Sequence, residues 1–161
     1  AVSSSTRNSA AEAREVREVV EKAKKEGRVA AAAPVNQETL QQAGYTPAQA
    51  QRMSTSYEVF NAAKGQAQDE RVLNGFGNNG GEEFLSFLQT GESLIIGKDE
   101  GWKNWYQQTT GRLVSIQNQD GSWNGHHCIT SPVFCTATSL LILSVNNDID
   151  HLLAQGAVKY R

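Results

Sequence analysis

The sequence holds two cysteines, three prolines and one methionine in 161 residues, and aromatic residues amount to 7 %. Two cysteines cannot lay down the disulfide framework of a small secreted scaffold. With hydrophobic residues at 39 % as well, any core must be assembled from localised segments, and these gather in the C-terminal half. A charge excess is also lacking: 15 Lys and Arg stand against 17 Asp and Glu, a formal net charge of -2. Without a basic stripe to follow a phosphate backbone, nucleic acid is not expected as a partner. The longest strongly apolar run covers residues 140–143. A bilayer span needs roughly 20 residues, so no transmembrane segment is expected. The length suits one compact domain, or a small domain with an appended helical arm. The first residue, Ala1, is not a methionine. Signal-peptide removal would account for that, and an exported location (periplasmic, cell surface or extracellular) is expected, with the cytoplasm as the alternative.

No stretch alternates with period two, so the fold class expected is all-α. Residues 1–8 are polar and Ser-rich and read as a flexible arm. From Ser9 as N-cap to a stop at Gly27 the pattern is helical, with a thin apolar stripe of Ala13, Val16, Val20 and Ala23 flanked by Glu18/Lys22 and Glu21/Lys25 pairs. A stripe this narrow suits a peripheral or partner-facing helix. Residues 1–35 are therefore expected to form an arm and peripheral helix, of which residues 1–27 bind a second copy of the chain, and residues 36–161 a helical repeat domain. Thr46, Pro47 and Gln49 form a strong start signal, a capping box with Pro at the first helical position, followed by a core stripe of Ala50, Met53, Tyr57 and Phe60 up to Gly65. The Gly- and Asn-rich residues 66–81 read as one long loop.

Three helices follow. Residues 82–96 carry Phe84, Phe87, Leu88, Leu94 and Ile95 on one face, with Glu82 and Glu83 in the first turn, where the helix dipole favours carboxylates. After Asp99 as a cap, Trp102, Trp105, Tyr106, Thr109, Leu113 and Ile116 recur at helical spacing. Ser131 and Pro132 open the third helix, which is apolar almost all round to Val145 and is expected to be the most buried element.

Between the last two helices stand Gln117, Asn118, Gln119, Asp120, Gly121, Ser122 and Trp123, with Leu113 four residues before the Gln. This segment resembles the QW repeat of squalene and oxidosqualene cyclases. Together with the inner-helix sequence SPVFCTATSLLIL it is similar to one hairpin of the α/α toroid shared by terpene cyclases and protein prenyltransferases. The resemblance covers about residues 80–145. It implies helical hairpins in a partial toroid, in which Gly121 permits a sharp bend, Asp120 bonds local amides and Trp123 lies over the end of the outer helix. An incomplete ring leaves apolar surface to cover, so self-association is expected.

The family's chemistry is not carried over with the fold. The DxDD acid of the cyclases is missing, with only Asp148, Ile149 and Asp150 as a fragment, and the DDxxD motif of other terpene synthases is missing too. Prenyltransferases hold zinc with an Asp and a Cys at the start of one inner helix and a His at the start of the next. Alignment with that pattern puts Glu82 at the Asp position, Phe84 at the Cys position and Cys135 at the His position.

A second cluster comprises His126, His127, Cys128 and Cys135. Cys128 and Cys135 read either as a short-loop disulfide or as two buried thiols. Imidazoles and thiolates also suit zinc or copper. A turn packed at the toroid mouth ranks ahead of a metal site, so no cofactor is expected first and zinc second. The same loop offers an acid/base His oriented by Glu82 or Glu83. The leading functional expectation is a non-catalytic structural or interaction subunit that assembles with copies of itself. The alternatives are an enzyme, either a degenerate isoprenoid transferase or cyclase or a metal-dependent catalyst using the His/Cys cluster, and a module binding an apolar ligand or a glycan.

Overall fold

The computed structural model describes residues 2–156. These form α1 (Val2–Lys25), α2 (Gln37–Gln42), α3 (Pro47–Ala67), α4 (Glu70–Gly75), α5 (Glu82–Ile96), α6 (Trp102–Ser115), α7 (Pro132–Ser144), a 3-10 turn (Val145–Asp148) and α8 (Ile149–Gly156), with no strand among the described residues. The fold is all-α and built of helical hairpins, as the periodicity predicts.

The N-terminal segment departs from its expected role. α1 starts at Val2 rather than at Ser9, and Ser9 lies buried inside the helix. Once residues 9–25 are helical, extension needs only one residue fixed per added hydrogen bond, so the polar start continues the helix instead of forming a loose arm. The stripe of Ala13, Val16, Val20 and Ala23 is at most 1 % exposed, and α1 packs on α3 and α5 of its own chain. The expectation that these four residues bind a second copy is thereby overturned: they are core. The small side chains that make the stripe look thin also let the helix axes approach closely, which buries the stripe completely.

Polar side chains beside the stripe fix the register. Arg14 donates to the Leu153 carbonyl at 2.7 Å, and Tyr45 donates to Glu15 at 2.9 Å. Arg17 donates to the Gly97 carbonyl and pairs with Asp99. Asp99 is 5 % exposed and also accepts from Lys64 Nζ and the Gly101 amide, each at 2.8 Å. The residue expected only to cap the following helix thus ties α1, α3 and the start of α6 together. The surface pairs differ from the expected ones: Glu18 bonds Arg14, Lys22 lies near Glu26, and Lys24 near Glu21.

The Thr46/Gln49 capping box and Pro47 open α3 as read from sequence. Ala50, Met53 and Phe60 are buried, while Tyr57 is half-buried. Residues 66–81 are not one loop. α3 runs on to Ala67, and Asp69 caps the short α4, accepting from the Arg71 amide at 2.8 Å, with Leu73 buried beneath. The Arg71 side chain also bonds Asp69 and holds its carboxyl at about 2.

α5 lies against α1, α3, α6, α7 and α8. Its Phe84, Leu94 and Ile95 are fully buried together with Trp105 and Leu113 of α6. Phe76 stacks on Phe87 at 4.0 Å between ring centroids and meets Phe84 edge-on at 4.9 Å. The helix α7 carries a second correction, since it is not the most buried element. Val133 is 80 % exposed, Leu140 56 % and Leu141 55 %, while the buried residues are Cys135, Thr138, Ser139 and Ile142. The small residues take the inner side because Thr138 and Ser139 satisfy their hydroxyls on carbonyls one turn back, those of Phe134 and Cys135, both at 2.8 Å. Ser93 and Thr90 of α5 do the same on Gln89 and Ser86. Two helices with self-satisfied hydroxyls can meet closely without orphaned polar groups.

Candidate functional site

The turn between α6 and α7 is built as its residue types require. The Asn118 amide donates to the Ser122 carbonyl and the Gly121 amide to the Asn118 carbonyl, both at 2.9 Å. Gly121 holds φ +85, a left-handed conformation that a side chain resists. Asp120 accepts from the Ser122 hydroxyl at 2.7 Å and the Ser122 amide at 3.0 Å, and these bonds hold its carboxyl below the usual range. Gln117 donates through Nε2 to the Gly121 carbonyl at 2.8 Å. Trp123 is 3 % exposed, donates through Nε1 to the Leu113 carbonyl of α6 at 2.9 Å, and through its amide to Thr136 Oγ1 of α7 at 3.1 Å. One residue thus clasps both helices of the hairpin. Trp105 is buried as well and Trp102 half-buried against Tyr106, so the indoles pack rather than form an open platform.

Beyond the clasp, residues 125–129 run beside the segment preceding α5. The His126 amide donates to the Asn79 carbonyl at 2.9 Å, and the Gly81 amide to the Ile129 carbonyl at 2.7 Å. Gly125 sits in the crossing. A Cβ there would lie 2.2 Å from the Ile129 carbonyl oxygen and 2.4 Å from the Gly81 nitrogen, so only glycine allows the two segments to touch. Their contact carries the start of α5 to the His/Cys loop.

The consequence is a regrouping of the expected site residues. One ligand atom from each of Glu82, His127 and Cys128 lies within 4.8 Å of the others, and all three residues are exposed. His127 Nδ1 is 3.2 Å from Cys128 Sγ. Cys128 holds φ +56, left-handed backbone unusual for a side-chain-bearing residue. His126, Cys135 and Glu83 are not part of this group. His126 contributes instead a backbone bond to Asn79, which holds the loop beside the start of α5. Glu83 accepts from the Gly77 amide at 3.1 Å and from the Asn79 side chain, which makes it a fastener for the glycine-rich segment. Cys135 is fully buried, and burial pushes its thiol up, with a contribution from the Glu82 charge against a lowering hydrogen bond at Gly125.

Both expectations for the cysteines need correction. Cys128 and Cys135 are free thiols, so there is no disulfide between them, and Cys128 is exposed rather than buried. Native protein treated with iodoacetamide is expected to gain one adduct, on Cys128, and a second only on unfolding. Intact mass and peptide mapping check this, and prompt double labelling of the native chain would contradict the burial of Cys135.

Sequence reasoning did not find the backbone partners Asn79, Gly81 and Gly125 or the exposed face of α7. An apolar recess of about 530 Å³ lies elsewhere, lined by Val72, Phe87 and Trp105 with Arg71 and Glu83, and does not include the Glu82 cluster. No helix of the described residues is long and apolar enough to cross a membrane. Compared with protein-family models, curated proteins and solved structures, the chain matches none of them.

Proposed function

We propose that this chain is a non-catalytic interaction subunit, built on hairpins of the α/α-toroid type, that self-associates through the outer face of α7. The observation carrying this reading is the inverted polarity of that helix. Its exposed residues Val133, Ala137, Leu140 and Leu141 follow one another at spacings of four, three and one, a single helical stripe, while Thr138 and Ser139 face inward. Ordinary packing would put the leucines inside. A stripe of this kind facing outward marks an interaction surface.

The occupant is a second copy. Residues 132–144 contain no charged side chain, so two such helices can pair about a two-fold axis with no like charges opposed. Repeat units bury their apolar faces on neighbours of the same kind, and an incomplete set of hairpins leaves one such face uncovered. α7 has 13 residues, about 20 Å of helix. An interface centred on so short an element is small, so the dimer is expected to be reversible and concentration-dependent.

Sedimentation equilibrium over a range of protein concentrations tests this. The native chain should show a monomer-dimer equilibrium, and the Leu140→Glu/Leu141→Glu double variant should stay monomeric. Its melting temperature should stay close to that of the native monomer, because both side chains already face solvent. A native chain that remains monomeric at every concentration, or a dimer untouched by the double substitution, would overturn the reading.

A further inference from the structure

We propose that Glu82, His127 and Cys128 form a three-ligand site for a zinc-type divalent ion, leaving one coordination position for water or an outside donor. The inference is independent of self-association, since it uses other residues.

The donor set comes first. One carboxylate oxygen, one imidazole nitrogen and one sulfur lie within 4.8 Å of one another. Tetrahedral zinc with bonds of 2.0–2.3 Å keeps its ligand atoms roughly 3.3–3.8 Å apart. His127 Nδ1 and Cys128 Sγ already stand at 3.2 Å. The remaining closure is about 1 Å, within reach of rotations of three exposed side chains. A thiolate and an imidazole select a borderline-soft ion over magnesium or calcium, which prefer oxygen donors.

Positioning comes second. Glu82 stands at the first residue of α5, and the two backbone bonds between residues 79–81 and 126–129 bracket His127 and Cys128. The scaffold is thus set before any ion arrives. Among the described residues the Glu82 side chain makes no hydrogen bond or ion pair, and the Cys128 thiol meets the His127 ring at 3.2 Å. Among the described residues no lysine or arginine pairs with the group, so a cation would gain the carboxylate without displacing a partner. On binding, the Cys128 S–H bond breaks, its proton passes to solvent and sulfur donates the freed pair to the ion; His127 donates a nitrogen lone pair, and no redox change occurs.

The arrangement differs from the zinc pattern of the prenyltransferase-like alignment. Phe84, at the position where that pattern has Cys, is 1 % exposed in the core, and Cys135 is buried outside the cluster.

The test uses full-length reduced protein, stripped of metal and titrated with Co²⁺ under argon. Tetrahedral cobalt bound to thiolate gives a near-ultraviolet charge-transfer band and intense visible bands, and Zn²⁺ should bleach both on displacement. One equivalent per chain is expected. Cys128→Ser should abolish the charge-transfer band, His127→Ala and Glu82→Gln should each weaken binding at least tenfold, and His126→Ala should leave it unchanged. Circular dichroism establishes that each variant is folded, which exposed positions favour. The monomeric Leu140→Glu/Leu141→Glu variant should bind cobalt as the native chain does, so failure of the dimer and failure of the metal site are read separately. Absence of the charge-transfer band in the native protein, its survival in Cys128→Ser, or equal affinity in Glu82→Gln would each overturn the assignment.

Discussion

Trp123→Ala is expected to lower stability by about 3–5 kcal/mol, the usual cost of emptying the site of a buried tryptophan. In a domain of this size that corresponds to a fall of roughly 6–20 °C in melting temperature. Two contacts fail together: the buried ring is lost and the Leu113 carbonyl loses its Nε1 donor, while the backbone bond to Thr136 remains. The Trp123→Phe variant separates these contributions. It keeps most of the apolar contact and leaves the Leu113 carbonyl with the longer bond from the Ile116 amide at 3.3 Å, so it should cost about 1–3 kcal/mol. Ser122→Ala, on the half-buried rim of the same turn, is the control and should cost less than either. Thermal melts followed by far-ultraviolet circular dichroism give all three values. An unchanged Trp123→Ala melt would mean that the hairpin is held by something else, and the packing support for the proposed toroid-type reading would be lost.

The features legible in the sequence were those fixed by short-range chemistry. The Thr46/Gln49 capping box, the Ser131 cap, the Gly121 bend and the Trp123 clasp all depend on residues within about a dozen positions of one another, and the structure has them where the residue types indicate. Misreadings arose where a side chain's partner lay far along the chain. α1 looked peripheral because its stripe is Ala and Val, but stripe width measures apolar area and not how closely two axes can approach. α7 looked central because it is apolar on every side, and nothing local says that Cys135, Thr138 and Ser139 take the inner face. The Asp69 cap and buried Leu73 were masked by the glycine- and asparagine-rich composition around them. For the candidate site, residue types were readable and grouping was not. Glu82 meets His127 and Cys128 only through backbone bonds spanning more than 40 positions, and the burial of Cys135 depends on the helix phase of α7 while Cys128 is exposed on the loop before it.

The α1 stripe supports the other large effect. Val16→Asp is expected to cost at least about 4 kcal/mol, because the position has no exposure and the cluster around it consists of Val20, Leu40, Ala50 and Met53. A carboxylate placed there has no cation within that cluster, so it must either ionise without a partner or stay protonated and fill the site poorly. Glu18→Ala, two residues on and more than half exposed, should change stability by no more than about 0.5 kcal/mol. Removing residues 1–27 extends the same reasoning. Val16 and Val20 together account for roughly 3–6 kcal/mol of burial, their loss also uncovers Leu40 and Met53, and the loss of Ala10 and Ala13 takes away neighbours of Phe60. The total stability of a typical domain is about 5–15 kcal/mol, so the truncated chain should lack a cooperative melt. A partner-binding arm would give the opposite outcome, a folded helical core of lower oligomeric mass. Circular dichroism melts with sedimentation on the same samples distinguish the two. A truncated chain that melts as the native protein does would return α1 to the periphery and contradict the packing described for Val16 and Val20.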